Sequence, residues 1–279
     1  MATLLRGRAL AQVLQRELTQ KVHELPTVPK LGVVLIGDDP ASHLYVRLKE
    51  EAAREVGITV TTVRLAEDVG PDEVRAAIHS FNVDPATHGI LIQLPLPPHL
   101  DEYELILTMD ASKDADGFHP QNLKRFLAGE AAVTPGVSEG ILRLIDLAQQ
   151  PLTGKQALLI VNSEEFAAPL RKLLQARGME VNVHQGMAPP KLTRKAQILV
   201  IALGKPHSLT SEHISDGAIV VDVGTTNMDG RVLGDVDDVA LEQRPIYLTP
   251  VPGGVGPMTV TMLLWNTYRL AQKRITTQA

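Results

Sequence analysis

Leu31-Gly-Val-Val-Leu-Ile36 is a nearly unbroken apolar run, and the turn Gly37-Asp-Asp-Pro-Ala-Ser42 follows it at once. A strand of this kind requires a sheet that is covered on both faces. Similar runs recur at Gly89-Ile-Leu-Ile-Gln93, Ala157-Leu-Leu-Ile-Val161, Ile198-Leu-Val-Ile-Ala202 and Ala218-Ile-Val-Val-Asp-Val223. The pattern predicts an α/β fold with mainly parallel strands.

Segments with helical spacing separate these runs, at residues 8–24, 41–56, 72–82 and 165–177. The chain of 279 residues is long enough for two domains. We expect an N-terminal three-layer α/β domain from residues 1–136 and 256–279, and a Rossmann-like domain from residues 137–255. A helix at 137–148 should connect them. The final helix, at 258–273, carries an apolar stripe that should pack back on the first domain.

Composition excludes several classes of protein. The net charge is −5 with scattered basic residues, so the chain has no electrostatic footprint for nucleic acid. It contains no cysteine, which excludes disulfides, thiolate metal sites and a cysteine nucleophile. No apolar run has the length of a membrane span, and the N-terminus does not resemble a signal peptide. We therefore expect a soluble cytoplasmic protein.

Tyr45 and Lys49 form the first candidate chemical pair. They are four residues apart in a predicted helix, so both lie on one face, a turn apart. A partly desolvated lysine has a lowered pKa and can transfer protons near neutrality, with the tyrosine orienting it. Taken alone, the spacing also fits a solvated lysine over a half-buried tyrosine.

Two further segments carry polar residues. Gln93 ends a predicted strand, at the edge of the sheet where open α/β folds bind ligands. The loop Lys113-Asp-Ala-Asp-Gly-Phe-His-Pro120 contains Asp114, Asp116 and His119. Turn chemistry, in which the aspartates accept from nearby backbone N–H groups, explains this loop. A metal site formed by the same three residues is the alternative.

Proline and glycine dominate Thr249-Pro-Val-Pro-Gly-Gly-Val-Gly-Pro-Met-Thr259. We expect this stretch to be a stiff loop without regular secondary structure, whose bare backbone a planar ligand can approach. A tight connection into the following helix is the simpler interpretation.

Four long motifs together resemble the methylenetetrahydrofolate dehydrogenase/cyclohydrolase family. They are Asp-Asp-Pro-Ala-Ser at 38–42 with Tyr45 and Lys49 following, Gly-Ile-Leu-Ile-Gln-Leu-Pro-Leu-Pro at 89–97, Lys-Asp-Ala-Asp-Gly-Phe-His-Pro-x-Asn at 113–122, and the stretch at 249–259. The resemblance covers nearly the whole chain. It implies a folate site between two domains, a nicotinamide cofactor (NADP or NAD) and a homodimer.

The resemblance also implies roles for individual residues. Lys49 would be the key cyclohydrolase residue, Tyr45 would stack on or orient the folate, Gln93 would bond near Lys49, and Asp116 would hold the pterin ring. The resemblance further implies that the substrate is contacted by Pro252, Gly253, Gly254 and Pro257. It implies that the cofactor is contacted by Asn162, Ser163, Thr134, Gly204, Gly224 and Thr225.

One motif departs from the family. Where the family has Gly-Arg-Ser-x-x-Val-Gly-x-Pro after a strand, this chain has Val161-Asn-Ser-Glu-Glu-Phe-Ala-Ala-Pro169, which keeps only Ser163 and Pro169. The glycines that would let backbone approach a pyrophosphate are missing, and Asn162 replaces the arginine that would pair with a 2′-phosphate. Two glutamates lie where phosphates should bind. The departure predicts weak NADP binding and favours NAD, unless main-chain amides alone still hold the phosphates.

The leading hypothesis is an enzyme that oxidises 5,10-methylenetetrahydrofolate to the methenyl form and hydrolyses that to 10-formyltetrahydrofolate, in one-carbon metabolism that feeds purine biosynthesis. The alternative is a cyclohydrolase alone, with a second domain that is only structural. A non-catalytic folate-binding protein is the third hypothesis, and retention of Lys49, Tyr45, Gln93 and Asp116 argues against it.

Overall fold

A computed structural model of the chain describes residues 1–130 and 132–278. The chain divides into two compact units. The first unit comprises Gln12–Gly136 with Val260–Ala279, and the second comprises Met1–Ala11 with Val137–Thr259. Each unit is built around its own parallel sheet.

The elements alternate between strand and helix over most of the described residues. In chain order, the strands are β1 (Thr3–Leu4), β2 (Lys30–Ile36), β3 (Thr59–Leu65), β4 (Gly89–Ile92), β5 (Gln156–Val161), β6 (Glu180–Gln185), β7 (Ile198–Ala202), β8 (Ile219–Asp222), β9 (Thr226–Met228), β10 (Arg231–Leu233) and β11 (Tyr247–Leu248). The helices are α1 (Gly7–His23), α2 (Pro40–Val56), α3 (Pro71–Val83), α4 (Glu102–Thr108), α5 (Pro120–Ala128), α6 (Gly136–Asp146), α7 (Glu164–Ala176), α8 (Pro190–Thr193), α9 (Asp238–Leu241) and α10 (Val255–Gln278).

The sheet of the first unit has three parallel strands in the order β3-β2-β4. Val34 and Ile36 of the central strand point to one face and pack in an apolar cluster with Ile78 of α3. Val33 and Leu35 point to the other face and are equally buried. Both faces of β2 are therefore covered, as the three-layer prediction requires.

The sheet of the second unit has six parallel strands in the order β1-β11-β8-β7-β5-β6. Leu159 in β5 lies between Val183 of β6 and Val200 of β7. The apolar side chains of β7 and β8 are buried, and Leu199, Ile201 and Val220 pack in one apolar cluster with Leu241 of α9. An antiparallel hairpin, β9 with β10, follows β8. The alternation of parallel strands and helices confirms the Rossmann-like prediction for this half of the chain.

All the apolar runs used in the prediction form strands, and their limits shift by no more than one residue at either end. The apolar runs did not predict the strands β1, β3, β6, β9, β10 and β11. In β3 and β6, exposed side chains alternate with partly buried ones, and the polar residues at the exposed positions break the apolar signal.

The expectation that residues 249–259 contain no regular structure was wrong in its second half. Helix α10 already begins at Val255, so Pro257 lies in its first turn. Backbone N–H groups of a first turn have no intrahelical acceptor, and a proline there costs no hydrogen bond. The stretch is thus a short loop joined directly to a helix.

The C-terminal part of α10 packs within the first unit, as predicted. Asn266 donates from Nδ2 to the carbonyls of Ala115 (3.0 Å) and Thr134 (2.9 Å). Its neighbours Leu263, Leu264 and Thr267 are buried. Among the described helices, none is both long and apolar enough to cross a membrane.

Candidate active site

Helix α2 positions the candidate pair Tyr45 and Lys49. The Asp39 carboxylate caps the helix by accepting from the Ser42 N–H at 2.8 Å, and Pro40 occupies the first turn. Gly57 ends the helix in the left-handed conformation, with φ of 82°. Both ends of the helix are therefore fixed by local sequence, which sets the face that Tyr45 and Lys49 share.

Lys49 is joined to the end of β4 by a hydrogen bond. Its Nζ donates to Gln93 Oε1 at 2.7 Å, and Gln93 Nε2 donates to the Leu94 carbonyl at 2.6 Å. The Gln93 side chain is buried, and its amide orientation is set by these two bonds. Gln93 therefore holds the lysine nitrogen in one place and leaves the other ammonium protons free to meet a ligand.

The electrostatics of the site favour proton transfer. Burial lowers the pKa of Lys49, while the charge of Asp116 acts in the opposite direction. Burial raises the pKa of Asp116 to about 6, against the lowering effect of Lys49 and with a further raising effect of Asp114. The lowered pKa makes the neutral form of Lys49 accessible. The charge of Lys49 interacts with that of Asp116, whose own pKa is about 6.

Tyr45 lies one turn before Lys49 on α2 and is partly buried. A tyrosine in this position presents a ring face as well as a hydroxyl, so it can contact a flat heterocycle beside the lysine.

The loop that carries Asp116 is held against β4. Ala115 N–H donates to the Ile90 carbonyl at 3.2 Å, and Asp114 forms an isolated parallel bridge with the same residue. The Asp114 carboxylate accepts from the Gly117 N–H (2.8 Å), the His119 N–H (2.9 Å) and Asn122 Nδ2 (3.0 Å). The turn-chemistry interpretation is confirmed, because Asp114 is used to fold the loop.

His119 is also part of this local structure. It caps α5, with Nδ1 accepting from the Gln121 N–H at 3.2 Å. Over residues 1–130 and 132–278, no cluster of three or more histidine, aspartate or glutamate side chains is arranged to hold a metal ion.

Two residues that support this loop were missed by the sequence analysis. Lys113 is 5% exposed and donates from Nζ to the carbonyls of Phe81, Asn82 and Asp84 at 2.7 to 2.8 Å. Asn266, described above, holds the Ala115 carbonyl from the far end of the chain. The sequence did contain a signal for Asn266, which is an asparagine within the apolar sequence of α10. A buried side-chain amide needs hydrogen-bond partners, so its position indicates a contact with another segment.

The Pro/Gly loop before α10 lies in the second unit. Gly253 has φ of 110°, and its carbonyl accepts from the Arg8 N–H at 2.9 Å. A side chain at Gly254 would place Cβ 2.7 Å from the Pro250 carbonyl oxygen. Space therefore excludes a side chain at Gly254, whereas backbone conformation disfavours one at Gly253. Pro252 lies in the same tight turn, and Pro257 lies in the first turn of α10.

The turn between β5 and α7 contains Asn162 and Ser163. Ser163 caps α7, with Oγ accepting from the Phe166 N–H at 3.3 Å, and exposed Asn162 donates from Nδ2 to the Leu203 carbonyl at 3.0 Å. The acidic residues Glu164 and Glu165 occupy the first turn, and Glu164 pairs with Arg171. This helix start therefore carries negative charge.

Gly204, Gly224 and Thr225 lie after the neighbouring strands β7 and β8 of the second unit. The predicted cofactor residue Thr134 instead belongs to the first unit, where its carbonyl accepts from Asn266. Two buried carboxylates surround the loops after β7 and β8 and were not singled out from the sequence. They are Asp222, whose pKa burial raises to about 7 against the lowering effect of backbone N–H groups, and Asp235.

One unit has a Rossmann-like fold, and the other carries a half-buried lysine bonded to a glutamine that follows a strand. These features define a two-unit α/β protein with a candidate proton-transfer site in the first unit. The chain belongs to the tetrahydrofolate dehydrogenase/cyclohydrolase family. The model of the family's catalytic domain matches residues 5–116, and the model of its NAD(P)-binding domain matches residues 135–275.

Relatives and solved structures agree over almost the full length. The bifunctional protein FolD of Streptococcus uberis is 40% identical, with 99% of each chain covered, and that of Enterococcus faecalis is 39% identical over 98% of this chain and all of the relative. The crystal structure of bifunctional FolD from Campylobacter jejuni has a TM-score of 0.92 and 36% identity, and covers 98% of this chain and 100% of that one. The Trypanosoma brucei enzyme, solved with NADP and an inhibitor, has a TM-score of 0.92 and 32% identity, with 98% of each chain covered.

The second unit fits a dinucleotide in part. Its glycine turns follow parallel strands at the sheet edge where dinucleotides bind. A 2′-phosphate fits poorly, because neutral Asn162 is the exposed side chain after β5 and Glu164 and Glu165 follow it. These residues therefore suit a dinucleotide without that phosphate better than one with it.

Proposed function

We propose that this chain oxidises 5,10-methylenetetrahydrofolate to 5,10-methenyltetrahydrofolate with a nicotinamide cofactor and hydrolyses the product to 10-formyltetrahydrofolate. The observation that supports the hydrolytic half most directly is the half-buried Lys49, which is bonded to Gln93 and whose pKa is influenced by the charge of Asp116. Full-length similarity to bifunctional FolD proteins supports the combination of both reactions.

In the hydrolytic step, water adds to the cationic methenyl carbon and a carbon–nitrogen bond of the ring then breaks. We assign Lys49 the proton transfers. Its neutral amine accepts a proton from the attacking water and returns it to the departing ring nitrogen. The second proton of the water is released to solvent as the formyl C=O forms and the carbon–nitrogen bond breaks. The lowered pKa makes that neutral form accessible, and a nearby cationic substrate lowers it further. Gln93 fixes the position of Nζ through the 2.7 Å hydrogen bond.

We assign Asp116 and Tyr45 to substrate orientation. An ionised carboxylate accepts two parallel hydrogen bonds, which suits the amino and ring N–H groups of a pterin. Tyr45 contributes its ring face one turn from Lys49. Residues Pro252, Gly253, Gly254 and Pro257 are proposed to contact the substrate through a backbone that the tight turn keeps bare.

In the oxidative step, a bound nicotinamide supplies the hydride acceptor. We propose that the chain's own part is to orient it, with Gly204, Gly224 and Thr225 after β7 and β8 and with Asn162 and Ser163 at the start of α7. Thr134 is proposed as a contact from the first unit. Apart from Thr134, we assign the cofactor contacts to a domain formed by residues 137–255. We assign the folate contacts of Lys49, Tyr45, Gln93 and Asp116 to a domain formed by residues 1–136 with 256–279.

Lys49→Met tests the hydrolytic assignment. The substitution keeps the length of the side chain but removes the proton-accepting nitrogen, so hydrolysis of added methenyltetrahydrofolate should fall by at least about a hundredfold. Folate binding, measured by calorimetry, should stay detectable. The matched control is Lys124→Met, on an exposed position of α5, which should keep wild-type turnover. Wild-type hydrolysis in Lys49→Met would refute the role.

A second candidate function is hydrolysis alone, with a second unit that no longer binds a dinucleotide. The acidic start of α7 favours it. So do Val161 at the end of β5 and Ala167 in α7, which carry Cβ atoms at positions where glycine would permit close approach of the backbone to a phosphate. Titration of wild-type protein with NAD and with NADP separates the candidates. Binding of NAD over NADP supports the bifunctional proposal with NAD as cofactor, whereas absence of binding for both supports hydrolysis alone.

The combined variant V161G/N162R/A167G should create or strengthen NADP binding if the turn is what weakens it. Its control is N162R alone, which restores charge without the backbone space. Equal NADP affinity in wild type and in the combined variant would show that the turn does not decide phosphate recognition.

We also propose that the protein works as a cytoplasmic homodimer. This proposal follows from the family resemblance, and sedimentation velocity at micromolar concentration tests the dimer. A monomer at that concentration would contradict it.

A further inference from the structure

The loops at one edge of the six-stranded sheet are tied together by the side chain of Asp222, the last residue of β8. This carboxylate is 3% exposed and accepts from the N–H groups of Gly224 (2.9 Å), Asp235 (3.0 Å) and Val236 (2.9 Å). Its own N–H donates to Thr249 Oγ1 at 2.8 Å, just after β11. Asp222 thus links the loop after its own strand to the segment after β10 and to the start of the Pro/Gly loop.

Asp235 continues this connection toward β7. Its fully buried carboxylate accepts from the N–H groups of Leu203 (2.6 Å), Gly204 (3.1 Å) and Lys205 (2.6 Å). Three successive N–H groups pointing at one carboxylate fix the backbone of this loop closely. The strands β7, β8 and β11 are neighbours in the sheet, so the two aspartates connect the loops that follow three adjacent strands.

Two glycines show how closely the carboxylates approach the backbone. A Cβ on Gly224 would collide with the Asp235 carboxylate, and a Cβ on Gly234 would collide with the Asp222 carboxylate. Neither glycine has a positive φ, so their lack of a side chain is required by this space and not by backbone conformation. The pair of carboxylates and the pair of glycines therefore form one interlocked structure.

We propose that Asp235, itself held by Asp222, is the positioning residue of the oxidative half-reaction, because it sets the backbone of the loops that carry Gly204 and Gly224. The proposal rests on the proposed dinucleotide site in this unit. These loops lie at the edge where a parallel sheet binds its ligand. Burying two carboxylates has a large desolvation cost, which six backbone N–H groups offset. Apolar residues could fill the same space without that cost but could not fix six N–H directions.

Asp235→Asn tests the proposal with little change of volume. The amide presents donors toward N–H groups, so at least one of the three hydrogen bonds from residues 203–205 is lost. Hydrogen exchange at these three amides should accelerate by roughly tenfold or more, which corresponds to one lost hydrogen bond to a charged acceptor. This readout needs no bound cofactor.

The functional readout compares the two activities of the same preparation. In Asp235→Asn the Kd and KM for NAD should rise roughly tenfold, while cyclohydrolase kcat, which depends on Lys49 in the first unit, should stay at the wild-type value. Gly224→Ala should produce the same split, because its Cβ displaces the Asp235 carboxylate. The control is Asp237→Asn, a cap of α9 where asparagine serves equally well, which should change neither activity.

The outcomes separate this proposal from the proposed function. Faster exchange at residues 203–205 with unchanged NAD affinity would overturn the positioning role. Equal losses of both activities, with a lowered unfolding midpoint, would also overturn it and make Asp235 a residue of general stability. If wild-type protein binds no dinucleotide, the proposed oxidative function fails first, and this inference fails with it even where exchange accelerates.

Discussion

Lys113→Met should strongly destabilise the first unit, because Lys113 supplies hydrogen-bond donors to carbonyls at the end of α3 that have no backbone donor. In a continuing helix the carbonyls of Phe81 and Asn82 would accept from the N–H groups of residues 85 and 86. Pro85 has no N–H, and the N–H of residue 86 donates instead to the Asp84 carboxylate at 2.9 Å. The ammonium group of Lys113 accordingly serves both carbonyls, at 2.7 and 2.8 Å.

The magnitude follows from these contacts. Lys113 Nζ donates three hydrogen bonds, to the carbonyls of Phe81, Asn82 and Asp84. Each hydrogen bond to a charged group contributes about 1.5–3 kcal/mol, so losing all three amounts to about 4.5–9 kcal/mol. Removing a buried ammonium group also removes its desolvation cost, which offsets part of this loss. We expect the free energy of unfolding to fall by about 3 kcal/mol. With a urea dependence of about 1–3 kcal/mol/M, the midpoint should fall by about 1–3 M.

The assay uses urea unfolding followed by the fluorescence of the only tryptophan. Trp265 is 9% exposed and lies in the first unit, so its signal reports on the unit that contains Lys113. The control is Lys30→Met, which removes the partly exposed ion pair of Lys30 with Asp84 (2.8 Å) and should cost no more than about 1 kcal/mol. Equal midpoints for the two variants would refute the reasoning.

Three further predictions concern the first unit. Asp116→Asn should abolish an acid limb near pH 6 in the pH profile of cyclohydrolase kcat/KM, because the carboxylate exists only above its pKa of about 6; a limb that persists would assign it to another group. Gln93→Met should lower cyclohydrolase kcat by about tenfold with little change in folate Kd, since it frees Lys49 Nζ from its 2.7 Å acceptor; a change in Kd alone would contradict this. Gly32→Ala should reduce the free energy of unfolding by about 1–3 kcal/mol in urea titration, because its Cβ would lie 2.7 Å from the Phe81 ring, and an unchanged midpoint would show that the ring can move aside.

The sequence by itself determined the class of fold and most of the elements. Apolar runs such as those at 31–36 and 198–202 predict buried parallel strands, because a strand with apolar side chains on both faces is stable in a sheet whose two faces are covered. Local signals also set the helix that carries Lys49, since its cap at Asp39 and its terminator at Gly57 are adjacent in the chain. The long motifs around Lys49, Gln93 and Asp116 were sufficient to suggest the family.

Edge strands and the supports of the site were decided by tertiary structure. β3 and β6 have mixed composition because one side of each is exposed, so only their pairing defines them. Lys113 and Asn266 hold the Asp116 loop through backbone carbonyls far away in sequence. A backbone carbonyl is the same in every residue, so no sequence pattern can reveal which one a side chain will reach.

The same reason explains why the sequence did not reveal the roles of Asp222 and Asp235. In the sequence they are two acidic residues thirteen positions apart, and either could have been a solvated loop residue. The hydrogen bonds described for the two carboxylates come from main-chain N–H groups, in the loops after β7 and β8 and in the segment after β10, which the fold brings together. Residue types determined the strands and helix α2, because apolar runs and helix caps are local features of the sequence. The folded sheet determined which carboxylates are buried and which backbone N–H groups they bind.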